Sequence, residues 1–321
     1  MKLTRWTWVS FVFVILALRP GAAHAAGCSA SASSIDFGQL SPIALREVDT
    51  TGSITVTCTW PALAVMPNAL VCLNLGGPDP RVLRNGGNTL QYTLYQDASR
   101  LTAWGSVAAG TQPIALVLTK PPAGVSASQS VTIYGRIAGN QPAVPTVNNS
   151  NTTYKEMFNG TSTALSYGFY RFIEPTCAGL AATDRFPFDV SAIVVNDCNI
   201  TATGVGFGAV SVTTAHLRST GTITARCTNG DAWRIALSAG AGGNVSARRM
   251  QRSGGGGEVA YQLYLDSSHA TVWGDGAKGT STGTGTGSGY ATVLTVYGDV
   301  PAQTTPAPGN YSDTITATIS F

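Results

Sequence analysis

The sequence predicts an all-β protein: two immunoglobulin-like β-sandwich domains in tandem, the second lacking its last strand. Three observations carry this. The same motifs recur in the same order in two halves of the chain. Each half is a series of short runs rich in β-branched and aromatic residues, separated by Gly, Pro, Asn and Ser clusters, with no sustained helical period. Finally, residues 186–195 alternate with a period of two at the end of the first half, and nothing plays that part at the end of the second.

In chain order, residues 1–25 read as a secretion signal: Lys2 and Arg5, an apolar run from Val9 to Leu18, and the A-x-A site Ala23-His24-Ala25. The run is short for a membrane span, and the alternative of an uncleaved anchor fits Arg19 and Pro20 poorly. Cleavage after Ala25 would remove three of 19 basic residues and leave 16 against 16 acidic ones. With no basic surplus, nucleic acid is not an expected partner. Charged residues are 11% of the chain, against roughly 25% in soluble proteins generally, so the polar surface falls to Ser, Thr, Asn, Gln and Gly. The remainder divides into a first domain, 26–195, and a second, 196–321, each large enough to bury a core.

The repeat defines both domains. Cys28 precedes Phe37-Gly38 as Cys198 precedes Phe207-Gly208. The run 52–58 matches 221–227, and each ends in a cysteine. Tyr92, Leu94, Tyr95 and Asp97 match Tyr261, Leu263, Tyr264 and Asp266. Trp104-Gly105 and Tyr134-Gly135 match Trp273-Gly274 and Tyr297-Gly298. The repeat pairs Cys28 with Cys58 and Cys198 with Cys227, each bridge joining the first two strands of a domain, for about 2–4 kcal/mol. Cys72 and Cys177 are left over and pair by elimination, free thiols or a metal site being the alternative.

At the join, Phe188, Val190, Ala192 and Val194 fall on one face of a strand spanning 186–195, read as the internal last strand of the first domain, with Phe186 capping the same face. At the end of the chain, Ile315, Ala317, Ile319 and Phe321 are read as facing inward along an unfilled groove.

The copies differ in two places. The first carries an insertion over 59–70 containing Trp60, Leu63, Val65, Met66 and Leu70, apolar where a loop is normally polar. It also carries about 50 residues between Gly135 and Phe186, with an Asn/Thr/Tyr-rich stretch around Tyr154. No catalytic constellation stands out, and the chain reads as a non-enzyme without cofactor or metal. The segment 276–280 lacks phosphate-loop spacing. Asp97 and Asp266 read as turn aspartates, and Trp104 and Trp273 as core or rim aromatics.

With these motifs in their shared order, each half resembles the spore coat protein U-like domain, the pilin module of archaic (Csu-type) chaperone–usher pili of Gram-negative bacteria. The resemblance implies pilin-type sandwiches assembled by donor-strand complementation. A periplasmic chaperone first fills the groove of an incomplete sandwich. The N-terminal donor strand of the next pilin subunit then replaces it at an outer-membrane usher. Only Ala26 and Gly27 would separate the cleavage site from Cys28, so the donor-like strand is internal and the chain resembles a two-domain tip adhesin. Export through the periplasm to the cell surface, attachment and biofilm formation follow as expectations. The alternatives are a purely structural two-domain pilin or coat component and, further off, a secreted enzyme.

The 59–70 insertion has two readings. It covers a core edge, helped by a Cys72–Cys177 bridge, or it forms an exposed apolar patch for a hydrophobic abiotic or host surface. A glycan or protein receptor read by the loop around Tyr154 is the rival binding mode. The most informative single observation is whether 59–70 and 146–163 lie together at one end of the first domain.

Overall fold

The computed structural model describes residues 26–160 and 162–321; the secretion-signal reading falls outside them. The period-two runs form strands. In the first half these are β1 (Gly27–Ala32), β2 (Ile35–Leu40), β3 (Val48–Thr59), β4 (Asn68–Leu75), β5 (Arg81–Asn85) and β6 (Asn88–Tyr95). They continue with β7 (Ile114–Thr119), β8 (Ser126–Ile137), β9 (Thr152–Phe158), β10 (Thr163–Tyr170), β11 (Ala182–Asp184) and β12 (Phe188–Val194). The second half holds β13 (Cys198–Ala202), β14 (Leu217–Cys227), β15 (Ala232–Leu237), β16 (Arg248–Arg252) and β17 (Glu258–Tyr264). It ends with β18 (Gly283–Thr286), β19 (Ala291–Val300), β20 (Tyr311–Ser312) and β21 (Ala317–Ser320).

Each half is a sandwich of two sheets. The first has the orders β1-β3-β8-β6-β5-β9-β12-β2 and β11-β10-β4-β7. The second has β13-β14-β19-β17-β16-β20 and β18-β15-β21. The two coincide strand for strand, except that the second has no counterpart of β12, β2 or β11. The stretch containing Phe207, which matches β2, has no strand partner. β2 hydrogen-bonds only to β12 within its sheet, so removing β12 removes the reason for β2 to be a strand.

The repeated motifs are packing devices. Cys28 lies directly opposite Cys58, and Cys198 opposite Cys227; both pairs are bonded, as are Cys72 and Cys177. Trp104 and Trp273 are buried, and each indole N–H donates to a core-strand carbonyl, of Leu73 and Ile235, at 2.9 Å. Asp97 accepts from the Leu101 and Thr102 amides and the Ser99 hydroxyl, which holds its carboxyl down at about 2. Asp266 closes the same turn with Ser268, Ala270 and Thr271. The Tyr-Gly glycines face the Phe-Gly rings. A Cβ on Gly135 would lie 2.8 Å from the Phe37 ring, and one on Gly298 2.9 Å from Phe207.

The sandwiches meet through the loop 138–151. The Thr146 amide donates to the Asn229 carbonyl (3.0 Å), and the Asn229 side chain to the Ala143 carbonyl (2.7 Å). The Asn149 side chain pairs with both backbone groups of Ala232, at 3.0 and 3.1 Å. The Thr146 hydroxyl donates to Asp231, whose carboxyl is buried and therefore raised in pKa.

Candidate functional sites: an open groove and an apolar end

In the first sandwich β12 runs antiparallel to β9 and parallel to β2. Phe188, Val190, Ala192 and Val194 are all buried there, as is Phe186 just before the strand. Phe188 stacks on Phe158 with ring centroids 4.6 Å apart, and Phe186 and Phe188 both stack on Trp104. The groove between the sheets is filled by the chain itself.

In the second sandwich the same place is an open groove of about 930 Å³. Its walls include Val205, Phe207, Ile223, Val296, Ile315 and Ala317. Ile319 and Phe321 do not line it, which corrects the reading that all four terminal apolar residues border the groove. β21 pairs with β15 in the smaller sheet, carrying Ile319 past the groove to pack elsewhere on the core. Phe321 lies beyond the last paired residue, Ser320, and is exposed.

One polar pair recurs at the groove wall. Tyr92 donates to Glu156 at 2.6 Å, and Tyr261 to Asp313 at 2.6 Å. Burial first, then the carboxylate, pushes both phenols up. A buried arginine stands beneath each pair, with Arg81 donating to the Gly76 and Leu75 carbonyls and Arg248 to Ser238, Leu237 and Gln262. Arg81 is held by backbone carbonyls, and Arg248 by two backbone carbonyls and the Gln262 side-chain oxygen. Among the described residues no three His, Cys, Asp or Glu side chains converge as metal ligands would.

The insertion over 59–70 divides. Trp60 is buried, edge-on to Phe169 at 5.7 Å, with its amide donating to the Val125 carbonyl. Leu70 is buried within β4, opposite Val117 and Gly168. Both are core residues, so the reading that places them on an exposed patch is corrected: Trp60 follows the last residue of β3 and Leu70 is already in the next strand. Leu63 (94% exposed), Val65 (73%) and Met66 (45%) are solvated.

Sequence reasoning missed Phe172 and Ile173, 83% and 86% exposed, in the loop after β10. They lie at the same end as the insertion. Asn68 faces both Thr119 and Tyr170, and the Lys120 amide donates to the Pro67 carbonyl. The loops 60–67, 120–125 and 171–176 therefore leave one end together, and Cys72–Cys177 anchors the third. The signal was the break in alternation after Tyr170, where Phe172 and Ile173 follow each other just before Pro175.

The stretch 146–163 lies elsewhere. Its first residues form the joint with the second sandwich, at the end where Val48 faces Ile137, opposite the end where Thr59 faces Ser126. Tyr154 is buried, its hydroxyl donating to the Pro145 carbonyl, and burial raises its pKa to about 12. The Tyr154 side chain is thereby unavailable to a receptor, while Asn148, Asn149, Ser150, Asn151 and Thr153 around it are exposed.

The Spore Coat Protein U domain model matches residues 14–161 and 184–318. The second match begins just ahead of β12, so the strand that closes the first sandwich is the leading segment of the second copy. "Protein U" of Myxococcus xanthus is 31% identical over 158 residues, covering 44% of this chain and 87% of that protein. Among solved structures, the CsuC–CsuE chaperone–tip adhesion subunit complex from archaic Csu pili of Acinetobacter baumannii aligns over 92% of this chain and 100% of that chain, with 16% identity and TM-score 0.49. The CFA/I adhesin CfaE of enterotoxigenic E. coli, as its G168D mutant, aligns over 90% and 92%, with 8% identity and TM-score 0.31.

Proposed function

The chain belongs to the Spore Coat Protein U domain family, and from that premise we propose that it is the two-domain adhesive tip subunit of a chaperone–usher pilus, acting in attachment and biofilm formation. The observation that carries this is the contrast between its two sandwiches. The first is closed by β12 from within, and the second presents the same groove empty. An uncovered apolar groove beside an unpaired segment is an aggregation hazard, and an added strand removes it. The reading supplies that strand first from a periplasmic chaperone and then, at the usher, from the next subunit.

The closed sandwich faces outward. Its far end carries Leu63, Val65, Met66, Phe172 and Ile173 on neighbouring loops. Each gains about 1.5–3 kcal/mol when fully buried, so partial burial of five gives a modest contact that many pili multiply. The surface suits hydrophobic abiotic or host material.

The test replaces these five residues together with Ser or Asn and measures attachment to plastic at equal piliation. Loss of attachment is expected. Unchanged attachment leaves a purely structural two-domain pilin or coat component.

A further inference from the structure

The internal strand shows what its groove selects, and the empty groove repeats one selecting feature. In the first sandwich Ala192 is fully buried opposite Tyr154. β2 bulges beside it, and Phe37 lies between the paired residues Asp36 and Gln39. Phe37 meets Tyr92 edge-on at 6.0 Å, and Tyr154 is fixed through its hydroxyl. Phe37 and Tyr154 thus flank the Ala192 methyl group, with Tyr92 against Phe37.

The second sandwich keeps all three. Gln251 faces Ser312 as Arg84 faces Lys155, which places Tyr311 at the position of Tyr154. The Tyr311 hydroxyl donates to the Ala307 carbonyl, as that of Tyr154 does to Pro145. Phe207 meets Tyr261 edge-on at 6.5 Å, and all three residues line the groove. Two levels away the copies differ. Ile315 stands where Phe158 stacks on Phe188, which leaves more room for a large side chain.

We propose that Phe207, Tyr261 and Tyr311 form a register key. The groove takes a strand from another pilus subunit, antiparallel to 311–315, with Ala or Gly opposite Tyr311, an aliphatic residue opposite Asp313 and a large apolar residue opposite Ile315. A strand shifted by two residues keeps its apolar face inward but drives a larger side chain into the aromatic key. Only one register closes the groove. The inference rests on the donor-strand reading above.

The experiment titrates the full chain with two fluorescent peptides, one with the sequence of residues 186–195 and the other with Ala192→Leu. On the native protein the first binds and the second binds at least tenfold more weakly. On Tyr311→Ala the gap closes. Phe207→Ala, on a segment without strand partners, is the second variant should Tyr311→Ala not fold. Equal binding of both peptides to the native protein, or an unchanged gap on both variants, overturns the register key and leaves the groove reading intact. If neither peptide binds any of these proteins, the donor-strand reading itself falls and the key with it.

Discussion

Phe188 and Phe158 stack with centroids 4.6 Å apart, and they join the strand that closes the first sandwich to the strand it closes against. In the second sandwich Ile315 holds the position of Phe158 and faces an empty groove. At this place the two halves differ in whether that partner is present.

Val190 is fully buried opposite Glu156. Val190→Asp should destabilise the first sandwich by several kcal/mol, since it buries an unpaired carboxylate close to another. Ile193→Ser, on the outer face of the same strand, should change stability by less than about 1 kcal/mol. Thermal unfolding with limited proteolysis separates the two. Equal losses would mean that β12 is not a core strand.

Gly135→Ala should cost about 1–3 kcal/mol, because Phe37 lies on a paired strand and has nowhere to move. Gly298→Ala should cost less in the free protein, where Phe207 lies on an unpaired segment, and should reappear as weakened binding of the 186–195 peptide. Denaturant midpoints and peptide titration measure both.

Asp97 has its carboxyl held at about 2 in the folded chain, against 3.8 for an ordinary aspartate. A depressed carboxylate contributes stability above its unfolded value and loses it as pH falls through the folded one. Asp97→Ala should therefore lower the melting temperature at neutral pH and flatten its fall between about pH 4 and pH 2. Parallel melting curves across that window would contradict the assignment.

Asn149→Ala removes two hydrogen bonds across the joint, each worth about 1 kcal/mol. Neither sandwich should unfold, but the angle between them should broaden in small-angle scattering. An unchanged scattering profile would show that the remaining contacts alone set the angle.

Much of this was legible in the chain. The repeat located the strands, since motifs such as Phe-Gly and Tyr-Gly recur where a ring and a missing Cβ meet. The alternation over 186–195 marked the strand at the join, because each inward residue there meets a core and each outward one meets solvent or a polar neighbour. The fate of 59–70 was not legible. Trp60 and Leu63 are equally apolar in sequence, and only the path of the chain separates the one against Phe169 from the one in solvent. The joint was hidden as well, since Thr146 and Asp231 are polar residues of ordinary loops until folding brings together positions 85 apart.

The most direct test of the open groove appends a copy of residues 186–195 after Phe321, through a linker as long as the 171–187 connection that carries β10 to β12. Amide hydrogen exchange is then measured over 204–212. The account predicts that these amides, fast in the native chain, become protected as the segment pairs with the added strand, and that the second sandwich melts at a higher temperature. Amides over 204–212 that are already slow in the native chain, or that stay fast with the strand appended, would contradict it.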